Sequence, residues 1–278
     1  MVSPQKIKYN GVFSDIGLGD LDIIFDVAFD SDNGTTSSYL NRSAIASESH
    51  DGRYKNTTKY KYDELFSPQF TIVKKDFSDF TQEQVRRVLK YLTSTDKPAL
   101  LEVYYDGESN VVDWACIGGW ISIETYKIAN SRTIGIVAQF EAVTPFAFSD
   151  IYTVTKTISS STDNKITINI DTDDNHPVYP RIIIQESGTG VKFINKHIDF
   201  FNQAKIYESV ALTNNTPGEK IIIDGANKII SSSHTKRIFG DDFNWQWLEL
   251  YDGKNEITID GNCEVTLEYR AVIKIGEY

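Results

Sequence analysis

The sequence predicts a mainly β protein of two domains: a β-sandwich or barrel-like N-terminal domain with one helix and an extended arm, and a C-terminal antiparallel β-sandwich. The 278 residues are long for one hydrophobic core, because a domain usually has about 150 residues. Every odd position from Cys263 to Ile275 is apolar, which is the period of a half-buried strand. Asp-Gly dipeptides that begin at residues 224, 252 and 260 separate short β-rich segments, at the spacing typical of a sandwich.

The first domain opens with a strand and continues into a long polar stretch. Apolar and acidic residues alternate over Leu21–Phe29, which predicts a strand with one buried face. Residues 31–62 are polar and contain four tyrosines. A stretch this long in a compact domain is either disordered or an arm that packs on something else. The interspersed Tyr, Leu and Ile residues favour an arm.

One helix is predicted at about residues 81–93. Thr81 and Gln84 have the spacing of a capping box, and Val85, Val88, Leu89 and Leu92 fall on one helical face. The strands that follow are Ala99–Tyr105, Val112–Glu124 with a bulge at Gly118-Gly119, and Ile134–Ala142.

The second domain begins after Pro145, which ends the preceding strand. The predicted domains are therefore residues 1–148 and 149–278. The strands predicted in the second are Tyr152–Ile158, Lys165–Ile170, Arg181–Ile184, Val191–Asn195, Lys205–Val210, Lys220–Ile223, Lys228–Ser232, Trp245–Leu250, Glu256–Ile259 and Glu264–Ile275. The last run exceeds the usual strand length, so it either bends or leaves the sandwich to pair with the first domain.

Composition excludes several classes of protein. A hydrophobic fraction of 40% with 15 Tyr and 15 Phe is typical of a folded chain. No apolar run approaches a membrane span of about 18 residues, and the N-terminus lacks the apolar core of a signal peptide, so we expect no membrane insertion and folding in a cytoplasm. The net charge of −11 argues against binding along nucleic acid. Cys116 and Cys263 are expected to be reduced and buried.

No catalytic, cofactor or metal site is predicted, because the chain has no HExxH, GxSxG, Walker or GxGxxG motif. Asp171–Asn175 resembles the start of a calcium loop, but His176 stands where the turn needs Gly and Ile182 where the bidentate Glu should be. We interpret it as a solvated acidic turn, with weak adventitious calcium binding as the alternative.

Two tryptophans raise the question of sugar binding. Trp245 and Trp247 would point to one face of a strand, where core packing is favoured over stacking on a sugar. The alternative is a sugar site similar in residue order to that of galectins. The residues in this order are His234, Arg237, Asn244, Trp247 and Glu249, and the first four are the candidate sugar contacts.

Seven segments in order resemble the distal tail (Dit) proteins of long-tailed siphophages. These are YNGVFSDIGL from Tyr9, HDGRY from His50, FSPQFTIVKKDFSDFTQEQVRRVLKYL from Phe66, AVTPFAFSD from Ala142, YPRIIIQESGTGVKFIN from Tyr179, EKIIIDGANKIISSS from Glu219 and WLELYDGKNEITIDG from Trp247. The resemblance covers most of the chain. It implies a ring-forming N-terminal domain, an arm, and a galectin-like C-terminal sandwich.

The resemblance also implies a function, as a structural baseplate hub protein. Six copies would form a ring at the tail tip of a virion assembled in the host cytoplasm. The ring would link the tail tube protein to the central tip protein and to peripheral receptor-binding or baseplate proteins. The parent could equally be a phage, a prophage or a tail-like bacteriocin. Alternatives are a carbohydrate-binding module for cell-wall attachment and another β-rich tail protein, such as a tube or receptor-binding subunit.

The arm suits contact between neighbouring subunits, since a ring needs heterologous interfaces. The basic residues on the outer helix face are either solvated or paired with acidic groups of a neighbour. The residues expected at this interface are Tyr39, Leu40, Arg42, Arg53, Tyr54 and Tyr60 in the arm, and Arg86 and Arg87 on the helix.

Overall fold

The computed structural model describes residues 3–19, 21–28, 42–48, 55–62, 65–108, 110–128, 132–159, 163–174, 176–186, 190–199, 203–207 and 209–274. The fold is mainly β, as the sequence predicts. The chain forms two compact units, Met1–Asp150 with Ile273–Tyr278, and Ile151–Val272.

The strands and helices of the first unit are β1 (Lys6–Tyr9), β2 (Val12–Phe13), α1 (Ser14–Leu18), β3 (Ile23–Ala28), β4 (Arg42–Glu48), β5 (Lys55–Tyr62), β6 (Gln69–Lys74), α2 (Gln82–Leu92), β7 (Ala99–Tyr104), β8 (Trp114–Ile128), β9 (Arg132–Ala142) and β10 (Ala147–Phe148). Those after residue 150 are β11 (Tyr152–Ile158), β12 (Lys165–Ile170), β13 (Arg181–Glu186), β14 (Gly190–Ile198), β15 (Ala204–Ile206), β16 (Val210–Thr213), β17 (Lys220–Asp224), β18 (Ile229–Ser232), a 3-10 turn (Gly240–Asp242), β19 (Gly253–Asp260), β20 (Cys263–Tyr269) and β21 (Val272–Ile273).

The first unit is built on one curled antiparallel sheet. Its strand order is β2-β1-β7-β8-β9-β6-β3; β10 joins it beside β8, and β21 pairs with β10. The Phe25 N–H of β3 donates to the carbonyl of Pro4, just before β1, at 3.4 Å. This bond links the two sides of the sheet, so the unit is barrel-like. β4 and β5 form a separate two-stranded sheet.

Aromatic rings fill the interior of this sheet. The Trp120 ring makes edge contacts with Phe70 and Phe140 at centroid distances of 5.2 and 5.1 Å, the geometry that aromatic pairs prefer. Helix α2 covers the core with Val88, Tyr91 and Leu92. Its capping box is present as predicted, with Thr81 and the N3 residue exchanging hydrogen bonds.

The structure differs from the sequence predictions at several places in this unit. The predicted single helix is joined by the short α1. Six strands of the first unit were not predicted, namely β1, β2, β4, β5, β6 and β10. The pairing of β8 with β9 shifts between Trp120 and Ser122, not at Gly118-Gly119. Gly118 has another role, because a Cβ there would lie 2.0 Å from the carbonyl oxygen of Glu141. A glycine therefore allows β8 and β9 to approach each other.

The second unit is an antiparallel sandwich of two five-stranded sheets. One sheet has the order β11-β20-β13-β17-β18, and the other has β12-β19-β14-β15 with β16 also beside β14. Inward-facing residues of both sheets share one core, which includes Ile184, Phe193, Ile257 and Leu267. The galectin-like character of this sandwich stays a prediction.

Three predicted strands of this unit have other structures. The predicted strand Lys205–Val210 is divided between β15, which ends at Ile206, and β16, which begins at Val210. Residues 244–249 are irregular rather than a strand, and Trp245 has a φ of 57°, a left-handed conformation that cannot continue a strand. The predicted last strand is interrupted after Tyr269. Ile273 beyond it packs on the core of the first unit.

Candidate interaction surfaces

The described part of the chain shows no arrangement typical of a metal centre. It contains no group of three or more His, Cys, Asp and Glu side chains that could hold a metal ion. In the acidic turn, Asp174 is buried and contacts His176 Nδ1 at 3.0 Å. The helices of the described residues are all too short or too polar to cross a membrane.

The two cysteines are buried and not joined to each other. Cys116 lies in the first unit and Cys263 in the second, and neither forms a disulfide. Burial raises the pKa of Cys116 well above its ordinary value, which disfavours the reactive thiolate. This agrees with the reduced, buried thiols expected from the sequence.

The outer face of α2 carries a compact basic patch. Arg86 and Lys90 are exposed one turn apart, and no acidic side chain among the described residues pairs with either of them. Arg87 is more constrained, because it donates to the Leu18 carbonyl at 3.2 Å and lies 4.0 Å from Glu83. Like charges one turn apart cost a few tenths of a kcal/mol. The patch is therefore suited to an acidic partner.

The arm residues predicted at the interface are only partly within the described chain. Tyr39, Leu40, Arg53 and Tyr54 lie outside the described residues. Arg42 begins β4, and Tyr60 lies in β5 opposite Ala44. The structure thus pairs the strands that carry these two residues.

Arg237, one of the four candidate sugar contacts, is committed to an internal ion network. Its Nε lies 3.5 Å from the carboxylate of Glu219 and its Nη1 2.9 Å from Asp242. Its Nη2 donates to the Thr213 carbonyl at 3.0 Å. Glu219 is fully buried and also accepts from the Ser232 hydroxyl at 2.6 Å. The network joins the loop before β17 to the loop after β18.

The other three candidates differ in what their side chains contact. The Asn244 side chain accepts from the N–H of Ala211 and donates to the Ser209 carbonyl, so it holds neighbouring backbone. Trp247 is half-buried against the sandwich core, and His234 is exposed. Sugar contact through these four residues stays a prediction.

The structure gathers a cluster around the Glu249 carboxylate, and sequence reasoning missed its members Tyr179, Tyr251 and Lys228. Tyr251 and Tyr179 donate their hydroxyls to it at 2.7 and 3.1 Å. Lys228 lies over the Tyr179 ring at 3.3 Å from its centroid and over Trp247 at 5.2 Å. Burial and the Glu249 carboxylate raise the pKa of both tyrosines, and burial lowers that of Lys228. The tyrosines therefore remain hydrogen-bond donors at neutral pH.

Buried amides hold this cluster in place. Asn255, which is fully buried, accepts from the Tyr251 N–H at 3.0 Å and donates to the Tyr251 carbonyl at 2.7 Å. Asn195 donates to Asn255 and to the Glu249 carbonyl. Only a weak sequence signal points to this cluster. Asn195 and Asn255 occupy inward positions of β14 and β19, where most other inward residues are apolar. These hydrogen bonds hold residues 249–252 in place, although regular secondary structure begins only with β19 at Gly253.

Family models match the two parts of the chain in order. Residues 6–143 match the model described as a phage tail protein N-terminal domain. Residues 146–269 match the model described as a phage tail C-terminal domain.

The chain belongs to this phage tail protein family. Membership places the protein in the tail of a virion. The family assignment rests on these domain models, since no curated protein sequence matches the chain significantly.

Solved structures show that the fold of this tail protein is Dit-like. The crystal structure of the Dit protein of phage SPP1 matches with a TM-score of 0.61 at 10% identity, covering 96% of this chain and 98% of that one. A chain of the phage P2 baseplate, in its activated conformation with Ca, matches with a TM-score of 0.51 at 10% identity, covering 99% and 100%. Likeness at this identity concerns the fold.

Proposed function

We propose that this tail protein is a distal tail hub protein that forms a hexameric ring at the tail tip. The ring would join the tail tube to the central tip protein, with the first unit forming the annulus. The second unit would contact receptor-binding or other baseplate proteins. In this proposal the protein works by binding alone, without catalysis, after assembly in the host cytoplasm.

Two findings carry this proposal. Phage tail domain models cover nearly all of the chain, and its fold is Dit-like over 96% of its length. The Dit protein of SPP1 is described as a paradigm of the hub adsorption apparatus in phages that infect Gram-positive bacteria. A β-rich tail protein of another kind would not need to match over both halves in this order.

The charges of the chain support a ring that DNA crosses. The net charge of −11 would repel phosphates from the wall of a channel. The basic patch of Arg86, Arg87 and Lys90 is an exception on this acidic protein, and it suits an acidic surface of a neighbouring subunit. We place the arm residues Tyr39, Leu40, Arg42, Arg53, Tyr54 and Tyr60 at the same interface.

Negative-stain imaging and mass photometry of the purified full chain test the proposal. We expect six-fold annuli with peripheral lobes. Long stacked tubes would identify a tube protein instead, and compact trimers would identify a receptor-binding subunit. A glycan array probed with the same sample tests the carbohydrate-binding alternative, because a scaffold should give no sugar-dependent signal.

A charge reversal on α2 tests the proposed interface. Arg86→Glu should weaken the ring, because it places a carboxylate against an acidic neighbour, and the loss should lessen at high salt. Lys97→Glu is the matched control, since Lys97 is also exposed and has no ion pair among the described residues. Equal ring populations in the two variants would remove α2 from the interface.

A further inference from the structure

The second unit displays two large apolar side chains on the segment between β18 and β19. Ile238 is 83% exposed and Trp245 is 55% exposed. Transfer of such side chains out of water is favourable, so their exposure is unfavourable for the isolated protein. We call Ile238 and Trp245 the exposed apolar pair.

The segment that carries the pair is held firmly by its own contacts. The Asp242 carboxylate accepts from the Asn214 side chain at 2.6 Å and lies 2.9 Å from Arg237 Nη1. The Phe243 ring is buried in the sandwich core. The Asn244 side chain bonds to the backbone of β16 and of the residue just before it. The pair is therefore in a fixed position before any partner arrives, which lowers the entropy cost of binding.

The backbone at Trp245 is strained. Its φ of 57° is left-handed, which is unfavourable for a bulky residue and suits a glycine. The indole N–H donates to the Gly240 carbonyl at 3.0 Å, and the ring packs edge-on against Phe243 at 5.5 Å. Strained residues of this kind cluster at sites of binding and catalysis. A tryptophan at a position suited to glycine indicates a use for its exposed ring.

The surface around the pair contains more aromatic area. The buried Phe243 ring makes an edge contact with Trp247 at 5.4 Å, so two tryptophans flank it. Lys228, which lies over Trp247, also has a left-handed φ of 57°. Tryptophan and tyrosine are enriched among the residues that supply most of the binding energy in protein interfaces. This surface therefore has the composition of such a binding centre.

The size and charge of the surface restrict what can cover it. The pair offers on the order of 300 Å² of apolar area, whereas each partner in a stable protein pair contributes about 800 Å². Two copies of the chain would therefore not pair through this surface alone. The exposed charges beside the pair, Lys236 and Asp241, have opposite signs, so neither a strongly acidic nor a strongly basic partner is favoured. A short, uncharged apolar segment of another protein fits both restrictions.

We infer that the exposed apolar pair anchors a short, uncharged apolar segment of a peripheral baseplate protein of the same tail. The segment would lie against the Trp245 ring and Ile238 and exclude water from both. The inference rests on the proposed function, in which the second unit contacts peripheral proteins, and it names the surface and the chemistry of that contact.

Replacing Trp245 in assembled tails tests the inference. Trp245→Gly removes the ring and suits the left-handed backbone. Ile206→Ser is the control, since it removes an apolar side chain that is 68% exposed on β15. Quantitative mass spectrometry of purified tails should show at least about a tenfold loss of one peripheral protein with Trp245→Gly, and normal content with Ile206→Ser. Normal content with Trp245→Gly would overturn the inference, as would loss of the ring itself, because the ring of Trp245 would then serve the fold or the annulus.

Photo-cross-linking in tails built from the full chain is an independent measurement, and it decides the matter if Trp245→Gly does not fold. Benzoylphenylalanine replacing Ile238 should link to a peripheral protein, and the same group replacing Ile206 should give at least about tenfold fewer such links. Equal links at the two positions, or links to other copies of this chain alone, would disprove the anchor. Absence of rings from the unmodified chain would instead refute the proposed function, because the cross-links report only on the exposed apolar pair.

Discussion

Replacing Glu219 should destabilise the second unit, because this carboxylate is fully buried and charged. It accepts hydrogen bonds from the Ser232 hydroxyl at 2.6 Å and the Thr216 N–H at 3.0 Å, and it faces Arg237 Nε at 3.5 Å. Removing one partner of a buried pair costs about 3–5 kcal/mol. Arg237 keeps Asp242 at 2.9 Å, so we expect Glu219→Ala to lie near the lower limit, at about 3 kcal/mol.

The loss should be visible by calorimetry of the full chain. A change of about 3 kcal/mol corresponds to a fall of roughly 10 °C or more in the Tm of the second unit. Lys236→Ala is the control, since Lys236 is an exposed neighbour of Arg237, and it should shift the transition by less than about 0.5 kcal/mol. A Glu219→Ala transition within the same margin would refute the reasoning that the ion network supports this fold.

The pH dependence gives a second check on Glu219. Burial alone would raise its pKa, but the bonds from Ser232 and Thr216 and the Arg237 guanidinium together hold it below the ordinary value of 4.5. A group with a lowered folded-state pKa stabilises the fold above its unfolded pKa and loses that contribution as pH falls through the folded pKa. The difference in stability between the unmodified chain and Glu219→Gln should therefore be constant from neutral pH to about 5 and shrink below 4.5. A difference that grows in acid would contradict the assigned direction.

Three further outcomes are expected for the full chain. Gly118→Ala should destabilise the first unit by at least about 2 kcal/mol in urea unfolding, because its Cβ would lie 2.0 Å from a backbone oxygen of β9. Gly119→Ala is the control, since a Cβ there meets nothing within 4 Å. Similar losses in the two variants would disprove the close-approach argument. Thr81→Ala should cost about 1 kcal/mol in thermal unfolding through loss of the capping box, and an unchanged Tm would show that the cap does not limit stability. Cys116 and Cys263 should react with iodoacetamide only in denaturant, since both are buried, and prompt labelling of the native protein would contradict that burial.

Much of the architecture could be predicted where the local pattern was strong. The alternation in Tyr152–Ile158 and Lys165–Ile170 predicts both strands at their observed bounds. The capping box and the apolar face predict α2 to within a residue or two. In such segments the period of burial and the end signals lie within a few neighbouring residues. The local sequence is therefore enough to predict the structure without knowledge of distant contacts.

Where distant contacts prevailed, the predictions failed. The aromatic segment from Trp245 to Leu250 has the composition of a strand, but Asn244 bonds to Ser209 and Ala211 and the backbone turns left-handed at Trp245. The strand β1 is only four residues long, too short to establish a period of its own. Its place in the sheet depends on β7, which is far away in the chain.

The sequence by itself determined the mainly β class, the helix with its cap and the order of the tail-protein segments. Only the tertiary structure decided that Glu249 gathers Tyr179 and Tyr251, and that β8 pairs with β7 over Trp114–Gly118 and with β9 over Gly118–Ile128. The physical reason is that a strand's pattern specifies which face is buried. Which strand lies beside it, and whether any does, depends on the packing of the whole sheet.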